Sequence, residues 1–192
     1  MSIVEPLEAL TRATAGYEQR LAAVGAEQWD QASVCIGWTV KDVADHVLGG
    51  NRFAAALAGG ATSDEALTQA FAGGFDDDPV AGFVESASSQ LDAFERPGAL
   101  DAMVRHPQGD MSGRTFLYYR VGDLLLHGWD LARSTGGDDQ LDEDLLPDVW
   151  REYQPRLPAA TENGAFGKGP TGDVPNDAPL ALRLLDLTGR RR

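Results

Sequence analysis

Apolar residues recur at intervals of three and four along most of this 192-residue chain. Leu7, Leu10, Ala13, Tyr17, Leu21 and Val24 fall on one face, which predicts a long helix from about Val4 to Val24. A loop with Trp29, Cys35, Gly37 and Trp38 follows. Thr39 and Asp42 then have the form of a capping box, opening a second helix that runs to about Leu57, before Gly59-Gly60. A short helix is expected from Ser63 to Phe71, with Gly73-Gly74 beyond it. Asp76, Asp77 and Asp78 precede a third long helix, Pro79 to Phe94, where carboxylates suit the positive end of the helix dipole. Pro97-Gly98 closes it. The stretch 100–112 contains His106-Pro107 and Gly109 and is expected to be irregular or weakly extended, with His106 at the surface. A fourth long helix, Arg114 to about Ser134, ends before Gly136-Gly137.

Beyond it, a shorter helix is predicted over Leu146–Tyr153, with Pro147 tolerated in its first turn. Residues 157–179 hold four Pro and four Gly, a composition that marks a loop, and Leu180–Leu187 looks helical again. No run alternates with the period of a strand for more than a few residues. Four long amphipathic helices predict an all-α four-helix bundle. The expected organisation is a bundle over 1–155 and a short Pro/Gly-rich extension over 156–192, packed on the bundle and ending in a short helix.

Charge narrows the range of partners. There are 30 acidic and 16 basic side chains, a formal balance of −14. Nucleic-acid binding calls for a basic stripe to neutralise phosphates, and this balance argues against it. Arg190, Arg191 and Arg192 are the basic cluster, expected to be solvated at a frayed end. The start shows no basic-then-apolar leader, and no run reaches the roughly 18 apolar residues of a membrane span. With one cysteine, Cys35, an internal disulfide is excluded. The expectation is a soluble cytoplasmic protein with no membrane partner.

Only three histidines are present, so their placement is informative. Asp123 and His127 stand four apart on one predicted helix and project from the same face. That spacing suits either a shared metal ion or a simple ion pair. His46 lies mid-helix beside the apolar stripe of Val43, Val47 and Phe53, where a helical histidine is more often a hydrogen-bonded core residue than a ligand. Together the three would make a ligand set of the bundle-core type that leaves coordination positions open. Spacing alone does not bring His46 to Asp123. Asp130 is placed to orient a ligand imidazole or to make a structural hydrogen bond. Cys35 reads as a small buried hydrophobe rather than a nucleophile. Arg52 and Arg120 would meet an anionic substrate if they faced the cavity, but surface pairing is the stronger expectation for each, and one of Tyr118 and Tyr119 is expected to line a pocket. Residues 164–170 lack the glycine spacing of a phosphate loop, and Asp138 to Asp144 lacks the glycine of a calcium loop.

Trp29 with the segment from Cys35 to His46 (CIGWTVKDVADH) resembles the first signature of mycothiol-dependent maleylpyruvate isomerase-type proteins, within the DinB-like (YfiT-like) superfamily. The segment from Asp123 to Ala132 (DLLLHGWDLA) resembles the second. Asn163 to Gly167 with Val174-Pro175 is similar to the tail of an actinobacterial subgroup. The resemblance implies a DinB-like bundle and a divalent ion held by His46, Asp123 and His127. Zinc is the first choice, with nickel and iron the other candidates. Characterised isomerases carry Glu at the position of Asp123 and continue into a further C-terminal domain.

A low-molecular-weight thiol cosubstrate follows, because a metal-bound thiol is deprotonated and the thiolate is the nucleophile. The implied chemistry is transfer of a mycothiol-like thiol to a small electrophilic substrate, or cis–trans isomerisation of it. Two alternatives stand beside it. One is a non-haem iron enzyme, which two His and one carboxylate also suit. The other is a non-catalytic metal-binding bundle that holds a small ligand or partner. A homodimer is compatible with exposed helix faces.

Overall fold

The computed structural model describes residues 4–70, 78–155 and 169–191. Two compact units divide the chain, one formed by 5–140 and the other by the first four residues with 141–192. The larger unit contains α1 (Pro6–Ala22), α2 (Val40–Ala58), α3 (Ser63–Ala70), α4 (Pro79–Glu95), a hairpin of β1 (Met103–His106) and β2 (Gly109–Ser112), and α5 (Gly113–Thr135). The smaller unit contains α6 (Leu146–Tyr153) and α7 (Leu180–Leu187). The chain is mostly helical, as its periodicity predicts. Asp76, Asp77, Gly73-Gly74 and the segment Asn163 to Gly167 lie outside the described residues.

Local chemistry sets the helix ends. Thr39 Oγ1 accepts from Asp42 N at 3.1 Å while Thr39 N donates to Asp42 Oδ2 at 2.8 Å, the reciprocal pair that satisfies two orphan donors of α2. Asp78 Oδ1 caps α4 by accepting from Val80 N and Ala81 N, each at 3.1 Å. At the far end of α5, Gly136 adopts φ 78°, a left-handed conformation that closes a helix at little cost only with glycine.

The four long helices of the larger unit form a ring in which α1 and α2 each pack on both α4 and α5. Their shared interior is filled by Tyr17, Phe83, Phe94, Phe116, Leu117, Leu124 and Trp129, all buried. Phe94 and Phe116 meet edge to face at 5.7 Å, and Tyr17 lies 4.8 Å from Phe83, separations at which aromatic pairs attract. In the smaller unit α6 packs on α7, with the Arg183 guanidinium 4.4 Å over the Trp150 ring. Arg191, expected at a solvated end, instead donates to Asp186 Oδ1 at 3.1 Å and to Gly169 O at 2.9 Å. Among the described residues no helix is long and apolar enough to cross a membrane.

The 100–112 stretch is more ordered than expected. Val104 pairs with Met111 and His106 with Gly109 in an antiparallel hairpin whose inward residues are Val104 and Met111. The hairpin packs against α2 and α5. His106 is half-buried rather than at the surface. Its ring lies 5.6 Å from Phe53, 5.4 Å from Phe116 and 6.3 Å from Tyr119. Burial among these rings, helped by the Arg120 charge, pushes its pKa down to about 4.

The folded chain therefore keeps His106 neutral down to about pH 4, whereas the unfolded chain takes up the proton near the ordinary 6.5. The stability held by the neutral ring is fully present above pH 6.5 and is lost as pH falls toward 4, by about 3 kcal/mol at most. Urea unfolding of the His106→Gln variant should show a flatter decline between pH 7 and pH 4.5 than the parent. Identical slopes would refute a half-buried His106 kept neutral by the fold.

Candidate metal centre

Helix α5 is buried on nearly every side. Between Phe116 and Ala132 its only partly exposed residues are Tyr119, Asp123 and His127, spaced by four. A helix with this burial reaches solvent along a single line, and that line carries a phenol, a carboxylate and an imidazole. Facing it on α2 are His46, Gly50 and Phe53, also partly exposed and spaced by four and three. Tyr118 is buried in the core, so Tyr119 is the tyrosine on the open side.

The contact between α2 and α5 supplies what spacing left open. His46 Nε2 lies 3.6 Å from Asp123 Oδ1, and His127 Nε2 lies 3.5 Å from the same oxygen. These separations are long for hydrogen bonds. Two ligands bound at 2.0–2.1 Å and subtending a tetrahedral angle stand about 3.4 Å apart, so the spacing fits one shared ion. The three ligand atoms all lie within 4.8 Å of one another. The side chains of His46, Asp123 and His127 are 41%, 20% and 12% exposed, so the group is open on the His46 side.

His127 and Asp123 are each held from behind. Asp130, with no exposed surface, accepts from His127 Nδ1 at 2.8 Å. A carboxylate at Nδ1 makes that nitrogen the donor and leaves the Nε2 lone pair facing His46 and Asp123. Cys35, expected to be buried and apolar, is half-buried, and its thiol donates to Asp130 Oδ2 at 3.2 Å. Arg120 is buried rather than in a surface pair, and its Nη1 donates to Asp123 Oδ2 at 2.6 Å. Burial works against ionisation of Asp123. Arg120, His127 and His46 more than offset it and hold the carboxyl well below the usual range, so it is a carboxylate at neutral pH.

Trp38 is a site residue that reading the sequence missed. Its ring is stacked on His127 at 6.1 Å, 15° from parallel, and lies 5.1 Å from His46. The loop before α2 reaches this position by capping α5. Gln28 Nε2 donates to Thr135 O at 3.1 Å and Gln31 Nε2 to Ser134 O at 2.8 Å, satisfying carbonyls that a helix end leaves orphaned. Val34 N donates to Ser134 Oγ at 3.0 Å. A tight turn from Cys35 to Trp38, with Gly37 at φ 83°, then places the indole over the imidazoles. A tryptophan directly before the Thr39 cap was the available signal.

Residues 10–132 match the family described as the mycothiol maleylpyruvate isomerase N-terminal domain. Two uncharacterized proteins of Mycobacterium tuberculosis, from strains CDC 1551 and H37Rv, are each 32% identical over 190 residues, covering 97% of this chain and 98% of theirs. The fold is similar to a crystal structure of the mycothiol-dependent maleylpyruvate isomerase, with TM-score 0.62 and 18% identity over 77% of this chain and 67% of that one. A histidine-to-alanine mutant of that isomerase gives TM-score 0.60 and 17% identity over 88% of this chain and 72% of that one. With the match spanning the helices that carry His46, Asp123 and His127, the chain belongs to the mycothiol maleylpyruvate isomerase N-terminal domain family.

Proposed function

We propose that this protein is a metal-dependent enzyme that activates a low-molecular-weight thiol of the mycothiol class against a small electrophile. The observation that carries the reading is Asp123 Oδ1 standing 3.6 and 3.5 Å from the Nε2 atoms of two histidines on two helices. In this reading His46, Asp123 and His127 hold a divalent ion, zinc as the first choice, since two imidazoles and one carboxylate form catalytic zinc sites as well as ferrous ones. When bound, such an ion supplies the positive charge that keeps a coordinated thiol deprotonated at neutral pH.

The remaining work falls to the chain. Asp130 fixes the ring of His127 and the nitrogen it presents. Trp38 covers one side of the imidazoles. The exposed flank of His46 and the line of Tyr119 and Asp123 leave room for ligands on the other. That openness favours an enzyme over a purely structural site, whose ligand shell would be closed.

Two reactions balance with a thiolate as nucleophile. Thiolate can add to one carbon of a conjugated double bond, the new single bond rotates, and the same thiolate leaves, giving the trans isomer with nothing consumed. Alternatively it displaces a leaving group, a carbon–sulfur bond forms, and the thiol is transferred. Membership of the family supports a mycothiol-related enzyme and does not distinguish the two.

The purified chain should bind about one zinc, and the His127→Ala, His46→Ala and Asp123→Ala variants should bind almost none. Retention of metal by His127→Ala would refute the ligand set, and preference for ferrous iron under anaerobic loading would favour oxygen chemistry instead. The cobalt-substituted chain should change its visible spectrum on addition of mycothiol. A metal-loaded chain that neither binds mycothiol nor turns over any electrophile with it would sink the thiol reading. Replacing Asp130 by Asn should weaken zinc binding by about 10–100-fold while the metal-free melting temperature moves little.

A further inference from the structure

We infer that Arg120 is a positioning residue, which turns Asp123 so that one carboxylate oxygen, and not both, faces the imidazoles. The inference rests on the metal reading above and extends it to a residue outside the three ligands. Asp123 is bound from two sides by different oxygens. Oδ2 accepts from Arg120 Nη1 at 2.6 Å, while Oδ1 is the atom facing His46 and His127. A short charge-assisted hydrogen bond of this kind takes one lone pair of Oδ2 and turns that oxygen toward the guanidinium. Oδ1 is then the oxygen directed at an ion between the imidazoles.

Arg120 can impose this orientation because it cannot itself move. Its Nε donates to Gln90 Oε1 at 2.8 Å and its Nη2 to Asn51 Oδ1 at 3.0 Å and Val47 O at 3.4 Å. Asn51 is fixed in turn by donating from Nδ2 to Ser86 Oγ at 3.1 Å, and Ser86 Oγ donates to Phe83 O at 2.8 Å. The guanidinium is therefore gripped by α2 and α4 and reaches Asp123 on its own helix, α5. A planar fork with fixed donor directions transmits that grip to the carboxylate, as a lysine ammonium would not.

Gly50 makes the arrangement sterically feasible. A Cβ at Gly50 would stand 2.6 Å from Arg120 Nη1, 2.8 Å from Nη2 and 2.9 Å from Cζ. Glycine inside a helix costs stability relative to alanine, so this position trades helix propensity for the space the guanidinium occupies. Arg120, Gly50, Asn51 and Gln90 thus form one device directed at the Oδ2 side of Asp123.

Two variants perturb the device without touching a ligand. R120K keeps the charge and loses the fork; G50A keeps every polar group and displaces the fork. The measurements are zinc affinity by competition with a chromophoric chelator, the visible spectrum of the cobalt-loaded chain, and the metal-free melting temperature. Both variants should hold zinc about 10–100-fold less tightly. Their cobalt absorption should weaken as Asp123 becomes free to bind through both oxygens and raise the coordination number. A purely structural role would lower the melting temperature and leave the cobalt spectrum of the folded protein unchanged. That result, or zinc affinities equal to the parent's, overturns the assignment. Should R120K fail to fold, G50A and N51A carry the same readouts with the guanidinium still present. A parent that binds neither zinc nor cobalt defeats the metal reading and this role with it, whereas unchanged variants of a metal-binding parent defeat only this role.

Discussion

Placing a carboxylate against the interior of a helical bundle is costly unless its charge is met by partners, and Asp123, only partly exposed beside the fully buried Asp130, is one place where this chain meets that cost. Arg120 answers on one side and two imidazoles on the other. Much of the surrounding structure follows from that arrangement. The guanidinium needs its own acceptors, which α2 and α4 supply through Asn51, Val47 and Gln90. The helices must approach closely enough for those contacts, and Gly50 removes the side chain that would prevent it. A buried ion pair is weak grounds for stability in itself, and its value here is that it holds a charged oxygen in one direction.

A second constraint acts at the end of α5. The last carbonyls of a helix must find donors, and Gln28 and Gln31 provide them for Thr135 and Ser134. The same loop carries Cys35 and Trp38, so satisfying the helix terminus and walling the site are one structural event. Asp130 links them from inside the helix, because it meets both His127 and Cys35 while its backbone carbonyl accepts from Ser134 Oγ at 2.6 Å.

The helices were legible because their apolar spacing and their caps agree. Thr39 and Asp42 mark the start of α2, Asp78 that of α4, and Gly136 the end of α5, each through chemistry confined to a few neighbouring residues. The hairpin was not, because its strands are four residues each, and the alternation of Val104 and His106 with exposed Met103 and Arg105 is too short to stand out. At the site, the Asp123–His127 spacing could be read, being local to one helix. That His46 meets them depends on how α2 packs on α5, which no local pattern encodes. Arg120 departs from its expected surface pairing for the same reason, because its buried partners Gln90 and Asn51 come from α4 and α2. Two adjacent glycines, Gly49 and Gly50, in mid-helix were the sign that something large approaches there.

The open line on α5 also has a length and a direction. From Tyr119 to His127 it covers nine residues, eight steps of the helix or about 12 Å along the axis. Steps of four residues overshoot a full turn of 3.6, so the line slants around the helix by about 80° over that length. An elongated molecule resting on Tyr119, Asp123 and His127 would cross the bundle obliquely, with one end at the imidazoles and the other at the ring cluster of Phe53, His106 and Tyr119. In the proposed reading, a ligand lying along this line would meet the carboxylate and imidazoles at one end and the Phe53, His106 and Tyr119 rings at the other, and the two ends would orient it.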